Sequence, residues 1–415
     1  MSHFPPEILL VIFDFATYTY HVHDPDPLDM NFQLFVTKSY QRSLRRSLVP
    51  FRFSWICLLH AHPSQRTKLS LVRVCRAWME LASPFLYENI VIGRGRYLLS
   101  ICSVLEVSSR DNRFLGHCTK RLDVALRDSA RSVDEELSLI ADIIRFLPNL
   151  EVVTFSVSSP PYTRDDYSPH LALHALTSTC AHSLRYIHWF RDTLAPAAGD
   201  LYALLRKTPN LRSFHTPLVI VDHKQPCHDE FFHSSIVAVH AEYGTAELFG
   251  LIPPQLMNFP SLRQLSFSAP LFAQDWRWEK FLQAHGNHLQ HIQVVNSVGS
   301  FPQSDLTCII ASCPNLVRLD VNLLFWTYMP SLVTLPPTVQ HLGIFCAQGQ
   351  EQNYSFFFSC LDSIEFGENF RCIQFLSKRN VVDMVGKHLR QFMVGTERLR
   401  RCGIRFMDHR GAYLP

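Results

Sequence analysis

The sequence has little that would mark a membrane, secreted or nucleic-acid-binding protein. Its 415 residues contain no apolar run approaching about 18 residues, so we predict no membrane span. The first seven residues have no basic region and include Pro5 and Pro6, which argues against a signal peptide. The formal net charge of +3 is small for this length. We therefore expect no membrane partner and no nucleic-acid partner.

Paired cysteines are also missing. The chain has 12 cysteines, but no two of them stand at Cys-x-x-Cys spacing, and the closest pair is Cys308 and Cys313. This pattern fits neither a zinc site nor a compact disulfide framework. Most of the cysteines lie among apolar residues, where a free thiol packs as a small hydrophobic group. We expect a reducing intracellular compartment, the cytoplasm or the nucleus, and no metal ligands.

Motifs of catalysis are absent as well. The sequence contains no phosphate-binding glycine loop, no His-Glu-x-x-His and no Gly-x-Ser-x-Gly. No nucleophile, base and orienting group stand in a recognisable arrangement. We therefore expect no catalytic residues, no cofactor and no enzymatic activity.

Two amphipathic helices are predicted near the N-terminus. Pro5, Pro6 and Glu7 suit the first turn of a helix. Apolar residues then recur at helical spacing: Ile8, Leu9, Ile12, Phe13 and Ala16. A second helix is predicted from about Leu69 to Ala82 and is ended by Ser83-Pro84. Its apolar face consists of Leu71, Val74, Cys75, Trp78 and Leu81. Two such short helices need a partner or a neighbouring domain to bury these faces.

The two segments resemble the two halves of an F-box. The run from Phe4 to Phe13 is similar to the F-box opening, and Leu71 to Trp78 is similar to its later helix with valine, cysteine and tryptophan. The run from Leu81 to Ile90 resembles the continuation found in fungal F-box-like proteins. The resemblance implies binding to a Skp-type adaptor and, through it, to a cullin ubiquitin ligase, with Phe13 and Trp78 as anchors. The adaptor-binding residues that it implies are Phe4, Pro5, Glu7, Ile8, Leu9, Ile12, Phe13, Leu71, Val72, Cys75, Trp78 and Leu81.

An insert separates these halves, whereas an F-box is usually one block of three helices. It covers about residues 17–67, begins acidic and then becomes basic, with nine Lys or Arg and no Asp or Glu from Lys38 to Arg76. A charge run of this kind is typical of a solvated loop, and a patch for an anionic ligand is the alternative.

A repeat follows from about residue 119. Each copy has an apolar anchor, two variable residues, an apolar residue, a variable residue and a last apolar position. The anchors from Leu150 to Val339 are 34, 27, 25, 26, 27, 27 and 23 residues apart. They are Leu150, Leu184, Leu211, Ile236, Leu262, Leu289, Leu316 and Val339, with a possible earlier copy at Thr119 and looser copies at Leu361 and Leu389.

The spacing is typical of leucine-rich repeats. Each unit supplies a short strand and a helical stretch, for example Asp200–Lys207 or Leu306–Ser312, and stacked units share a core. The consensus asparagine of that repeat is missing. We predict an α/β solenoid of the leucine-rich-repeat, ribonuclease-inhibitor-like type over residues 98–415, with a small all-α F-box-type module at 1–97. An ordinary α/β domain with evenly spaced strands is the alternative.

Strand alternation predicts which residues face away from the core. The variable positions should line the concave surface, and three histidines should form a ladder there. Side by side on a sheet, such histidines do not converge on a metal ion. The predicted target-binding strip is Tyr186, His188, His215, His240, Gln264, His291, Arg318 and Asp320. A solvated strip without a binding role is the alternative.

These observations lead to one functional hypothesis and one rival. The hypothesis is a substrate-receptor subunit of a Skp–cullin–F-box ubiquitin ligase, in which the helical module binds the adaptor and the concave face binds a protein target. It depends in part on analogy with the family. The rival is a repeat scaffold whose interrupted F-box no longer recruits a ligase. The two differ in whether the halves beside the insert close into one helical module.

Overall fold

The structure is a computed structural model. It describes residues 5–18, 64–124, 132–155, 169–189, 196–216, 231–241, 257–269, 276–296, 303–331, 333–348 and 353–415. Most of the insert lies outside these residues. The chain forms two compact units, and the described residues up to 216 belong to the first and those from 231 onward to the second. Within the described part of the chain, no helix is long and apolar enough to cross a membrane.

The first unit begins with helices and continues as alternating strands and helices. Its helices are α1 (Pro6–Thr17), α2 (64–71), α3 (Arg76–Tyr87), α4 (Leu98–Arg110), α5 (Val133–Arg145), α6 (His170–Thr179) and α7 (Ala198–Lys207). Its strands are β1 (Asn89–Ile92), β2 (Arg121–Val124), β3 (Val152–Phe155), β4 (Tyr186–Trp189) and β5 (Ser213–Thr216). The strands pair in chain order and all are parallel.

The second unit has the same alternation. Its strands are β6 (Phe231–Phe232), β7 (Ala238–Ala241), β8 (Met257–Asn258), β9 (Gln264–Ala269), β10 (His291–Asn296), β11 (Arg318–Leu323), β12 (His341–Cys346), β13 (Cys372–Phe375) and β14 (Arg405–Met407). Its helices are α8 (Trp276–His285), α9 (Gln303–Ser312), α10 (Tyr354–Asp362), α11 (Lys378–Val381) and α12 (Leu389–Arg401), with a π-helical turn at Val382–Lys387. The main sheet is parallel in the order β7-β9-β10-β11-β12-β13-β14, and β6 pairs with β8.

The predicted repeat anchors form the core beside the sheet. All eight anchors from Leu150 to Val339 are buried. The second and third apolar positions of neighbouring repeats are aligned in register, for example Leu265 with Ile292 and Leu319. The possible early copy is also a strand, because Leu122 and Val124 lie in β2. Each unit is therefore an open parallel α/β arrangement of the solenoid-like kind, and both predicted helical stretches, at Asp200–Lys207 and Leu306–Ser312, lie in helices α7 and α9.

An asparagine that precedes the anchor connects successive repeats. The side-chain amide of Asn149 donates a hydrogen bond to the carbonyl oxygen of His117 at 2.8 Å, 32 residues earlier. The same bond recurs at Asn210, Asn315 and Asn369, at 2.7 to 3.0 Å. Each asparagine thus satisfies a carbonyl group in the turn of the preceding repeat. This contact explains why the sequence Pro-Asn-Leu ends at three of the anchors, Leu150, Leu211 and Leu316.

Glycine is required at two of these turns because neighbouring repeats approach closely. A Cβ atom on Gly116 would lie 2.1 Å from the carbonyl oxygen of Phe146, and one on Gly286 would lie 2.0 Å from that of Ser312. Backbone atoms cannot yield to such a contact as a flexible side chain can. These glycines therefore fix the distance between stacked turns.

Three predictions of local structure are wrong. The looser repeats at Leu361 and Leu389 lie at the end of α10 and in α12, and the strands are β13 and β14 instead. The helix predicted from Leu69 to Ala82 is two helices, separated by a turn at 72–74. Its predicted end at Ser83-Pro84 is also wrong, because α3 continues through Pro84 to Tyr87. Proline removes one intrahelical hydrogen bond and crowds the carbonyl group four residues earlier, but the helix continues, and Phe85 in its last turn packs against Phe13.

Candidate functional site: a closed helical module and a polar strand face

Helices α1, α2 and α3 close into one module in the first unit. The ring of Phe13 on α1 lies 4.9 Å from that of Trp78 on α3, in an edge-to-face arrangement. The ring of Phe85, two residues before the end of α3, also lies edge-to-face with Phe13, with 6.4 Å between the ring centroids. Phe13 is fully buried as a result. Pairs of this geometry add stabilisation beyond the area that they bury.

The two ends of the insert are held together. The hydroxyl group of Ser64, at the start of α2, donates a hydrogen bond of 2.6 Å to the carbonyl oxygen of Thr17, the last residue of α1. The Thr17 hydroxyl donates to the carbonyl oxygen of Phe13 at 2.7 Å. Residues 18 and 64 thus leave and enter the module side by side, and the halves of the interrupted segment meet.

The module is also attached to the sheet that follows it. The side-chain amide of Gln65 donates to the carbonyl oxygen of Asn89 in β1 at 2.8 Å. The ammonium group of Lys68 is buried and lies 3.5 Å from the carboxylate of Glu88, which also pairs with Lys120 at 3.3 Å. Burial lowers the pKa of Lys68, and the neighbouring Glu88 opposes that shift. The contacts place α2 directly against the first strand.

An apolar stripe on α1 faces away from this packing. Ile8, Val11, Ile12 and Phe15 follow the i, i+3, i+4, i+7 spacing of one helix face, and all four are exposed. The ring of Phe15 is 87% exposed and Val11 is 70% exposed. Val74 and Met79, at the turn before α3 and within it, are exposed as well. A large apolar surface of this kind usually marks an interaction site.

The structure divides the predicted adaptor-binding residues into three groups. Pro5, Glu7, Ile8, Ile12 and Cys75 are exposed, whereas Leu9, Leu71, Val72, Trp78 and Leu81 are partly buried. Phe13 is not available as an interface anchor, because it fills the space between α1 and α3. Phe4 lies outside the described residues. Sequence reasoning did not include Val11 and Phe15, although the spacing of Ile8, Ile12 and Phe15 was the signal that could have identified them.

The second candidate site is the strand face opposite the core of the second unit. The Nε2 atom of His291 lies 3.0 Å from Oδ2 of Asp320, and Nε of Arg318 lies 2.9 Å from Oδ1 of the same carboxylate. Nη2 of Arg318 donates to Oε1 of Gln374 at 3.1 Å. A Cβ atom on Gly343 would lie 2.0 Å from Oδ1 of Asp320, so a larger residue would displace this carboxylate from its partners. These side chains form a polar network across β10, β11 and β13.

The network keeps the charge of its central carboxylate. Burial works to raise the pKa of Asp320, but Arg318 and His291 overcome it and lower the pKa to about 2. The pKa of His291 is lowered because burial disfavours the imidazolium, against the attraction of Asp320. Neutral His291 therefore donates its Nε2–H to an ionised Asp320. A buried charge is tolerated here because it is paired.

A further pair lies in register with Arg318, at positions that the strip did not include. His341 is paired with Arg318 on one side and with Cys372 on the other. Its Nδ1 atom lies 2.8 Å from Sγ of Cys372. Burial raises the pKa of the Cys372 thiol, while Arg318 and Arg405 oppose the shift. The thiol is therefore protonated at neutral pH.

Within each unit, the residues of the predicted target strip lie on one strand face, as strand alternation requires, but they are not solvent-facing. Seven of its eight residues are buried, and Arg318 is partly buried. The expectation of exposure is wrong for Tyr186, His188, His215, His240, Gln264, His291 and Asp320. Side chains on neighbouring parallel strands stand only about 4.8 Å apart, so they cover one another and pair across the strands. The role of the strip in target binding stays a prediction.

The predicted histidine ladder is present in part. His188 and His215 are partners in the register of β4 and β5. His240 lies in the second unit, where its register partner is Ser266. Within the described ranges, no group of three or more His, Cys, Asp or Glu side chains is arranged to hold a metal ion.

Comparison with known proteins adds only distant similarity in structure. No known family model matches the chain, and no curated protein does. A crystal structure of a Bacteroides fragilis protein, determined by a structural genomics consortium, is similar at 8% sequence identity and a TM-score of 0.31. The similarity covers 74% of this chain and 72% of that protein. At this level it carries no argument about fold or function.

Proposed function

We propose that this protein is a substrate receptor that binds a Skp-type adaptor of a cullin ubiquitin ligase through its N-terminal helical module. One observation carries the proposal: segments 5–18 and 64–87, separated in sequence, close into one module whose α1 stripe remains exposed. A three-helix module is also what the F-box resemblance implies. The rival scaffold hypothesis is favoured less, because it relies on an insert that keeps the halves apart.

The chemistry of the stripe suits a helical partner. An amphipathic helix with anchors at i, i+3, i+4 and i+7 typically lies in an apolar groove of another protein. Phe15 and Val11 project furthest and lose the most contact with water upon binding. We therefore assign the anchor role to Phe15, in place of Phe13, with Ile8 and Ile12 beside it.

The target would bind to the repeat units. Their strand faces are extended and polar, although most of these side chains are buried, and a protein or peptide partner suits an extended face better than a small molecule. The proposed receptor role therefore uses two surfaces of one chain. The helical module would bind the adaptor, and the strand faces of the repeat units would bind the target.

The test measures adaptor affinity of the full chain by calorimetry. Replacing Val11 and Phe15 together with alanine should weaken binding by roughly a thousandfold, because interface anchors contribute about 2 kcal/mol or more each. The matched control replaces Val104 and Val107, which are also exposed but lie on α4, and should leave affinity unchanged. Absence of binding by the unaltered chain, or equal affinity in the Val11/Phe15 variant, would contradict the proposal.

A further inference from the structure

The strand face of the second unit becomes accessible towards β14. In the row Gln264, His291, Arg318, His341, Cys372 and Arg405, neighbouring residues are register partners. Gln264, His291 and Cys372 are buried, Arg318 and His341 are partly buried, and Arg405 is exposed. Arg405 donates from Nη1 to the hydroxyl oxygen of Tyr413 at 2.9 Å, and its guanidinium lies 5.2 Å from that ring. We call His341, Arg371, Cys372, Arg405 and Tyr413 the Arg405 patch.

Positive charge is in excess around this patch. Among the described residues, those whose charge bears on the pKa of His341 or Cys372 are Arg318, Arg371, Arg405 and one carboxylate, Asp320. Asp320 is held by both His291 and Arg318, so its charge is already balanced within the network. The nearby Asp408 carboxylate accepts hydrogen bonds from the backbone N–H groups of Arg410 and Ala412. Arg371 and Arg405 are exposed, and their charge remains available to a ligand.

His341 adds a directed donor to this charge. The thiol of Cys372 is protonated and lies 2.8 Å from Nδ1 of His341, so it supplies a donor for the tautomer of His341 that accepts at Nδ1. A neutral imidazole that accepts at Nδ1 carries its proton on Nε2. In that tautomer the partly buried His341 has a donor at Nε2, on the part of the sheet that also carries the exposed Arg371 and Arg405. Such a combination of donors suits a carboxylate, which accepts several hydrogen bonds at once.

We propose that the Arg405 patch binds a carboxylate group of an acidic peptide segment in the target protein. The inference deepens the proposed function, because it names the chemistry of the target that the repeat units would bind. A side-chain carboxylate and a C-terminal carboxylate share this chemistry. An extended nucleic acid is favoured less, since two exposed guanidinium groups and a chain charge of +3 neutralise few phosphates.

The experiment measures fluorescence anisotropy of labelled peptides with the full chain. The probes are hexaglutamate with an amidated C-terminus, hexaglutamine with a free C-terminus, amidated hexaglutamine, and a single-stranded oligonucleotide. Replacing Arg371 and Arg405 with glutamine should weaken the binding of the carboxylate-bearing peptides by roughly tenfold or more, because charge-assisted hydrogen bonds are lost. The matched control is Arg379→Gln with Arg390→Gln, two exposed arginines outside the patch, and it should retain affinity.

The peptides separate the sources of the carboxylate. Binding of amidated hexaglutamate indicates side-chain carboxylates, whereas binding of free-acid hexaglutamine alone indicates a C-terminal carboxylate. Equal losses in the two double variants, tighter binding of the oligonucleotide, or no peptide binding by the unaltered chain would overturn the inference. Adaptor affinity is measured on the same samples. Normal adaptor binding without peptide binding therefore rejects the patch alone, and the reverse rejects the adaptor proposal alone.

Discussion

The helical module and the strand face of the second unit distribute polarity in opposite ways. The module exposes large apolar side chains, with Phe15 87% exposed, and buries one aromatic residue, Phe13. The strand face buries an ionised carboxylate, Asp320, with its histidine and arginine partners. Folding alone favours neither choice, since exposed apolar surface and buried charge both have a cost in free energy.

The comparison separates residues that stabilise the fold from residues that are left for binding. On α1, two neighbouring phenylalanines differ completely, because Phe13 contacts Trp78 and Phe15 contacts solvent. On the strand face, Asp320 is needed by its neighbours, whereas Arg405 is exposed at the end of the same face. We expect substitutions of Phe13 and Asp320 to change stability, and substitutions of Phe15 and Arg405 to change binding.

Removal of the buried carboxylate should have the largest effect on stability. Asp320→Ala leaves Arg318 without its charge partner and His291 without its acceptor, and should lower the free energy of unfolding by about 3–5 kcal/mol. Urea denaturation at pH 7 measures the loss. The control Glu106→Ala removes an exposed i,i+4 pair with Arg110 and should change stability little. Similar small effects from both would show that the network does not hold the face together.

Truncation of the buried ring in the module should come next. Phe13→Ala removes the contacts with Trp78 and Phe85 and should cost about 3 kcal/mol or more. Phe15→Ala, two residues further along the same helix, should leave the thermal unfolding temperature nearly unchanged. A comparable loss in the Phe15 variant would mean that its ring is not solvent-exposed, and the division of α1 into two faces would fail.

Acidification should reduce stability through the second unit. The pKa of His285 is lowered by burial to about 4, and that of His291 is lowered in the same direction, so the unfolded chain takes up protons first as the pH falls below 6.5. Asp320, with its pKa lowered to about 2 despite burial, adds a loss as the pH falls through its ordinary value of 3.8. Urea midpoints should therefore decline from pH 7 to pH 3. Constant or rising midpoints over that range would contradict this assignment.

The inter-repeat asparagine should show the smallest effect. Asn315→Ala removes the hydrogen bond to the carbonyl oxygen of Asn287, which is near the surface, and should cost about 1 kcal/mol. Chemical denaturation can resolve this if the control Gln391→Ala, an exposed residue of α12, is measured beside it. Equal stability of the two variants would show that the bond is replaced by water.

The strands were predictable because their signal is simple. Each strand follows an anchor such as Leu262, and its apolar residues, here Leu265 and Phe267, are two positions apart. The motif recurs at a steady interval, so the position and the register of the strands follow from the sequence. The signal fails at Leu389, Phe392 and Val394, because i to i+3 spacing also fits the helix α12. Asn369 was the available signal for β13. It precedes Phe370 and β13 in the same way as Asn315 precedes Leu316 and β11.

The sites were less predictable, because exposure depends on packing between segments distant in sequence. Alternation correctly places His291 and Asp320 away from the core side, but it does not show that they pair and become buried. Helical spacing groups Ile12 and Phe13 on one face, whereas the position of Trp78 decides which of them is covered. Arg405 lies after the last predicted repeat copy, so no repeat pattern in the sequence indicated that it is part of a strand.

The joint between helices and sheet in the first unit determines orientation. Helix α3 ends at Tyr87 and β1 begins at Asn89, with Glu88 between them and Gln65 bonded across the joint. A single intervening residue gives the chain no length in which to swivel. Whatever the module holds is therefore held at one angle to the strands β1–β5. The backbone itself would then set the distance between a bound partner and this sheet. Inserting residues between α3 and β1 would change that distance.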